Sequence, residues 1–303
     1  MSSIALRIKS KKVDSLFSGE KGRTLLLGSS GLLGSFFQVY LQRNGHNTSN
    51  SKVDFASKDI SAFERYILDT KPNTILNCSG MVDISKCEEN PELAYHLNSV
   101  VPQILAKLAR STNAKFVHIS SPSVFARGSM NHKENTKTST VNSVYGLSKA
   151  LGEKNVLQSN NKALICRLNF FSLSDKKQTF FGKLIEALQN RTTFDAFSDV
   201  LFNPIFGGDI PFIVSQLLSN GSNGLYHIVG SECISKLDFS KLTEKLMGLQ
   251  SSQIRGVTSS GEFSTGLRSQ NTCLSNKKLK LDGIVVPTIT TSIKHSLAFY
   301  KVT

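Results

Sequence analysis

A single short stretch, "GSSGLLG" from Gly28 to Gly34, limits what this chain can fold into more than any other. It follows "RTLLLG", an apolar run that reads as a buried strand, and it opens a helical pattern with Leu32, Leu33, Phe36, Phe37, Tyr40 and Leu41 in phase. Glycines between a first strand and a first helix let the backbone turn tightly and come close to a pyrophosphate. The helix start then offers free N–H groups and a partial positive charge. Gly28, Ser30, Gly31, Leu32 and Gly34 are therefore candidate nucleotide-binding residues. The bland alternative, a tight turn without a ligand, is weakened by the position of the stretch in the first strand–helix unit.

The rhythm continues. "SKDISAFERYILDTKP" reads as a helix begun by Ser57 or Asp59, "NTILNCSG" as a strand, and "NPELAYHLNSVVPQILAKLAR" as a long helix bent at Pro102. "AKFVHISS" and "KALICRLNFF" are further strands, with a long polar loop and the helix "SVYGLSKALGEK" between them. Strand alternating with helix predicts an α/β fold with a doubly wound parallel sheet. After about residue 170 the alternation weakens, with helices at "TFFGKLIEALQN", "DIPFIVSQLLSN" and "LDFSKLTEKLMGL", a strand at "GLYHIVG" and an irregular tail. The expected organisation is a polar extension over 1–22, a dinucleotide-binding domain over 23–170, and a smaller, partly interleaved substrate module over 171–303.

Charge narrows the partners. With 36 basic against 22 acidic residues, the net charge of +14 favours anionic ligands. The basic residues are scattered and no basic helix carries interleaved aromatics, which argues against nucleic acid and for phosphorylated small molecules. No apolar run reaches the roughly 20 residues of a membrane span. The basic, Ser-rich start lacks the apolar region of a secretory signal and reads as an extension rather than a transit peptide. The five cysteines, odd in number and widely spaced, read as free thiols in a reducing, cytoplasmic setting. The six histidines form no ligand pair, so no metal is expected.

Three features carry the chemistry. The first is the glycine stretch. The second is "HISSPSVF", where Ser120 and Ser121 end a strand at the carboxyl edge of the sheet. The third is Tyr145 with Lys149, one helical turn apart on a common face. A cation beside a tyrosine stabilises its phenolate and tunes it as an acid catalyst. After the second strand, "NGHNTSNSKVDFA" offers Lys52 where NAD-selective proteins place an acid, while Asp54 comes late. That choice leans towards NADP, with NAD as the alternative.

These features and their order resemble the extended short-chain dehydrogenase/reductases, and among them the nucleotide-sugar 4-ketoreductases typified by dTDP-4-dehydrorhamnose reductase. "NCSGMVDISKCEENPELAYHLN" is similar to the family's Asn-Ala-Ala-Ala, Lys-x-x-Glu, Pro and Leu-Asn segment, matching Asn77, Lys86, Glu88, Pro91 and Asn98. "RSQNTCL" is similar to its Arg-Pro-x-x-Ser-x-Leu, with Arg268, Thr272 and Leu274 in step. The resemblance implies that Tyr145 protonates a sugar ketone while a nicotinamide delivers hydride, that Lys149 holds the cofactor ribose and, with the oxidised nicotinamide, lowers the tyrosine pKa, and that Ser121 is the hydroxyl donor. It places Cys78, Ser79, Gly80, Asn98, Asp59 and Ile60 at the cofactor, with helix capping as the rival role of Asp59. It places Ser121, Pro122, Ser123, Asn169 and Arg268 at the substrate, with Arg191 a further candidate for its diphosphate.

The departures are specific. Pro122-Ser123 replaces the family's Asp-Tyr, Arg167-Leu168-Asn169-Phe170 replaces Arg-Thr-Ser-Trp, and Ser269 replaces a proline. No Asp-Glu pair follows the donor, which argues against sugar dehydration. The expectation is an NAD(P)-dependent oxidoreductase acting on a nucleotide sugar for polysaccharide biosynthesis. An epimerase on the same scaffold and a non-catalytic NADP-binding regulatory subunit are the alternatives. The resemblance leaves the oligomeric state open, a homodimer included.

Overall fold

The computed structural model describes residues 23–50, 55–57, 60–125, 131–138, 142–175, 178–249, 253–259 and 270–302. The N-terminal extension, Lys52, Asp54, Asp59 and Arg268 lie outside the described residues.

The first half runs β1 (Arg23–Leu27), α1 (Leu32–Arg43), β2 (Asn47–Asn50), α2 (Ser61–Thr70), β3 (Thr74–Asn77), α3 (Ile84–Glu89) and α4 (Pro91–Tyr95). It continues with α5 (Val101–Ser111), β4 (Lys115–Ser120), α6 (Val144–Ser159) and β5 (Leu164–Leu168). Then come β6 (Phe170–Phe171), α7 (Phe180–Asn190), β7 (Phe194–Phe197), β8 (Leu201–Phe202), β9 (Ile205–Phe206), α8 (Ile210–Ser219) and β10 (Gly224–Ile228). The last elements are β11 (Ile234–Ser235), α9 (Lys236–Leu246), β12 (Ile254–Val257), α10 (Lys277–Leu281) and α11 (Ile289–Tyr300).

Six parallel strands form one sheet in the order β2-β1-β3-β4-β5-β10. Its central strands β1, β3, β4 and β5 are buried on both faces because helices cover both, whereas the edge strand β2 is polar. Leu25 and Leu27 of β1 point to α2 and α5, meeting Phe63, Ile67, Val101 and Leu105. Leu26 points the other way, to Phe37 and Leu41 of α1 and to Ile213 and Leu217 of α8. A third cluster, rich in phenylalanine, joins α1 to α7, α9 and α11 through Phe36, Phe181, Phe206, Phe239 and Ile293. This α/β doubly wound architecture is the one the glycine stretch implied. The order reverses between β1 and β3, and such a reversal opens a crevice at the carboxyl ends of the strands.

Strand β10 and the helix before it, α8, belong to this sheet and its covering layer, although they come after residue 170. Short two-stranded pairings build the rest: β11 with β8, β12 with β7, and β6 with β9.

Four expectations need correction. Helix α2 begins at Ser61 with Ile60 at its N-cap, so Ser57 does not start it. The long helix is interrupted by a π turn over His96–Val100, with Val101 N–H donating to the His96 carbonyl. Pro102 follows as the second residue of α5; lacking an N–H, it removes the regular bond to the Asn98 carbonyl and favours the wider turn. The tail is not irregular: Ile289, Ile293 and Leu297 line one buried face of α11, and Thr288 caps it by accepting from Thr291 N–H. Finally, Cys233 and Cys273 form a disulfide, leaving Cys78, Cys87 and Cys166 free. Distance in sequence hid this pair, which the fold brings to a Cα separation of 5.8 Å.

Candidate active site

The crevice between β1 and β3 is shaped by close backbone contact. Gly28 has φ +76°, and a Cβ there would lie 2.8 Å from the Cys78 carbonyl. A Cβ on Gly34 would overlap the Gly28 carbonyl oxygen, so the first turn of α1 can close on the loop only with glycine. Gly31 stands at the N-cap without a side-chain cap, Leu32 opens the helix, and no acid occupies the first turn. The helix start is thus left open to an anion at its N–H groups. A phosphate-bearing nucleotide fits this cradle. Ser30 is exposed beside it.

Across the crevice, Asn77 orders the loop after β3: its Oδ1 accepts from Ser79 N–H at 3.0 Å and from Ser79 Oγ at 2.6 Å. Gly80 lies against the Asn98 amide. Asn98 is fully buried in the π turn, accepts from Met81 N–H at 3.0 Å, and donates to the Met81 carbonyl at 2.9 Å and to Ser148 Oγ at 3.1 Å. Its amide therefore ties the loop to α6. Ile60 is a core residue, 7% exposed, beneath α2.

Helix α6 delivers the central pair. Ser143 caps it, accepting from Gly146 N–H at 3.1 Å, and Glu88 accepts from Val144 N–H at 2.8 Å. A Cβ on Gly152 would overlap the Asn98 carbonyl oxygen, the one Pro102 leaves without its regular partner. That glycine lets α6 press against the π turn, and Ser99 Oγ donates to the Ser148 carbonyl at 2.7 Å across the contact.

Tyr145 is nearly buried at 9% exposure, and Lys149 at 4%. Lys149 Nζ donates to the Ile119 carbonyl at 2.6 Å. Burial pushes its pKa down from 10.5 to about 8, opposed chiefly by the carboxylate of Glu153. Burial pushes the Tyr145 phenol above its usual value, while a hydrogen bond with the Ser121 hydroxyl pulls the other way. Both groups keep their protons at neutral pH: a phenol able to give one, beside a buried ammonium.

The two adjacent serines separate cleanly. Ser121 meets Tyr145 and accepts from Ser123 N–H at 3.2 Å, which holds the short turn Pro122–Val124. Ser120 instead donates to Glu153 Oε1 at 2.5 Å. Glu153 also takes Arg167 Nε at 2.8 Å and Nη2 at 2.6 Å, a two-pronged pair buried between α6 and β5. Arg167 Nη1 donates to His227 Nε2 at 3.1 Å. That fixes the tautomer, so His227 Nδ1–H donates to the Ser275 carbonyl at 3.0 Å. Asn169 Nδ2 donates to Thr272 Oγ1 at 2.9 Å, anchoring the C-terminal strand segment at the mouth of the sheet.

Of the predicted site residues, the fold brings Ser121, Tyr145 and Lys149 together, sets Gly28–Gly34 opposite Cys78–Gly80, and puts Asn98 behind them. Arg191 sits in a left-handed cap at the end of α7. Sequence reading missed Gly152, Ser148, Glu153 and His227. Glu153 had a signal, standing one turn after Lys149; His227, far along the chain, had none.

Comparisons with known proteins agree on kinship. The RmlD substrate binding domain model matches residues 22–302. The dTDP-4-dehydrorhamnose reductase of Mycolicibacterium smegmatis is 24% identical over 268 residues, 86% of this chain and 80% of that protein. The methionine adenosyltransferase 2 subunit beta of Xenopus tropicalis is 26% identical over 280 residues, 86% of this chain and 83% of that protein. Among solved structures, a dTDP-4-dehydrorhamnose reductase from Bacillus anthracis in complex with NADP has a TM-score of 0.83 at 20% identity, covering 92% of this chain and 99% of that one.

Proposed function

Because the chain belongs to the RmlD substrate binding domain family, we propose that it reduces the 4-keto group of a nucleotide-activated deoxysugar, with NADPH as the preferred reductant, for polysaccharide biosynthesis. The observation that carries this reading is the meeting of Ser121, protonated Tyr145 and cationic Lys149 at the carboxyl ends of β4 and α6's first turns. The nicotinamide, when bound, supplies hydride to the carbonyl carbon. Tyr145 gives its proton to the carbonyl oxygen, and Ser121 hydrogen-bonds that oxygen as charge grows on it. Lys149 keeps a positive charge beside the phenol and stabilises the phenolate left behind. Gly28, Gly31 and Gly34 would hold the pyrophosphate, and the net charge of +14 suits two anionic ligands. The proposed assembly is a homodimer; the described residues contain no helix long and apolar enough to cross a membrane.

The test is NADPH oxidation against a panel of 4-keto nucleotide sugars, with products read by NMR. Tyr145→Phe is expected to lower kcat by at least ~10²-fold while NADPH affinity stays within about twofold. A variant that keeps the wild-type rate overturns the proton-donor role.

One relative favours a second reading. The Xenopus protein is named as a subunit of another enzyme, and the reading it suggests is a cofactor-binding regulatory subunit. Wild-type protein that turns over no 4-keto sugar, yet co-purifies stoichiometrically with a separate enzyme, would decide for it.

A further inference from the structure

We propose that Glu153 is a positioning residue of the reduction, holding Ser121 and Lys149 in register by gripping the last residue of β4. The inference rests on the ketoreductase reading of the same site.

Three consecutive residues at the end of β4 meet three residues of α6. The Ile119 carbonyl takes Lys149 Nζ at 2.6 Å. The Ser120 hydroxyl donates to Glu153 Oε1 at 2.5 Å. The Ser121 hydroxyl bonds Tyr145. The middle contact is buried and closed within the fold: Ser120 is 5% and Glu153 3% exposed, and the Glu153 oxygens are taken by Ser120 and Arg167. It therefore acts on the reaction only through the residues on either side. Ser121 follows directly on Ser120, so fixing Ser120 onto α6 also fixes where Ser121 departs from the strand.

Glu153 is itself held. Arg167 engages both its oxygens from β5, and Arg167 is 1% exposed beneath the Phe125 ring, 4.7 Å from its centroid. A carboxylate locked in this way is a stationary negative charge one turn from Lys149. The other titratable groups facing Lys149 are Cys78 after β3, His118 on β4 and Tyr145 on α6. Burial keeps the His118 imidazole neutral and the Cys78 thiol protonated, so neither supplies a countercharge. Glu153 is the carboxylate that keeps the ammonium charged against its burial.

The two effects, charge and grip, are separable. The first experiment needs no substrate: the full chain is labelled with ε-13C-lysine, and Lys149, assigned with Lys149→Met, is titrated by NMR. Glu153→Gln is expected to lower the Lys149 midpoint by about one pH unit, and to move the alkaline limb of kcat/KM down with it. Ser120→Ala removes the grip and keeps the charge. Its Lys149 midpoint should stay in place while kcat falls about tenfold, with the KM for a 4-keto nucleotide sugar changed less than about twofold. An unmoved Lys149 midpoint in Glu153→Gln, or wild-type kcat in Ser120→Ala, overturns the proposal. Ser120→Ala leaves the Glu153–Arg167 pair intact, so it reads the proposal even where Glu153→Gln does not fold. Wild-type protein inactive on every 4-keto sugar would sink the ketoreductase reading, whereas the NMR titration judges the charge effect independently of it.

Discussion

Tyr145 and Lys149 sit one turn apart, and burial moves their pKa values in opposite directions, yet both remain protonated at neutral pH. The tyrosine is held as a phenol by the same desolvation that makes the lysine easier to discharge. His227 shows the same physics with a consequence for stability. Burial and the adjacent Arg167 guanidinium depress its pKa from 6.5 to about 3. Above pH 6.5 the folded and unfolded chains both hold it neutral; below that the unfolded chain binds a proton that the folded chain refuses. Stability is therefore full above about 6.5 and is lost as pH falls towards 3. Denaturant unfolding between pH 7 and 4 should show this decline, and His227→Gln should flatten it. An equally steep decline in that variant would assign the acid lability elsewhere. At this scale the sequence offered candidate residues and not which way they face. Ser120 and Ser121 are neighbours of one type, and only the partners Glu153 and Tyr145 tell them apart.

Helix α6 carries Tyr145 and Lys149 and needs a close neighbour. Gly152 makes that approach feasible, because any side chain there would strike the Asn98 carbonyl. Gly152→Ala should destabilise the fold by about 1–3 kcal/mol and lower kcat as Tyr145 and Lys149 shift. A thermal melt and a rate together check it, and an unchanged melt would show that α6 relaxes freely. The disulfide makes a second prediction. Cys233 precedes β11, and Cys273 lies in the segment anchored by Asn169 through Thr272. The bond closes a span of 40 residues, for which chain entropy alone gives about 4 kcal/mol. Reduction, or Cys233→Ser, should lower the melting temperature, and a melt indifferent to reductant would mean that the cross-link constrains little. Elements with strong local signals were legible: the strand–glycine–helix start, the run of alternating units, the capped α6. The π turn was visible only as Pro102, since the identity of a proline announces a disturbance without its form. Helix α11 was overlooked because its apolar positions, Ile289, Ile293 and Leu297, are sparse among threonines, serines and lysine.

At the level of the whole molecule, a net charge of +14 stands behind a site built for anions. The long-range part of that attraction is screened by salt. The KM for the nucleotide sugar and the Kd for NADPH should both rise between low and high ionic strength, and values independent of salt would leave binding to local contacts alone. The sequence by itself determined the architecture and marked out the candidate residues. Periodicity, glycine placement and the Tyr–Lys spacing are local properties, read along a few turns of chain. What only the tertiary structure decided was everything set by distant neighbours: that β10 and α8 complete the first domain's sheet and its cover, that Cys233 meets Cys273, and that Ser120 serves Glu153 while Ser121 serves Tyr145. It also decided the protonation of the site. The pKa of Lys149 follows from how much water the surrounding elements exclude and where the nearest carboxylate is pinned, and neither quantity is written in any short stretch of sequence.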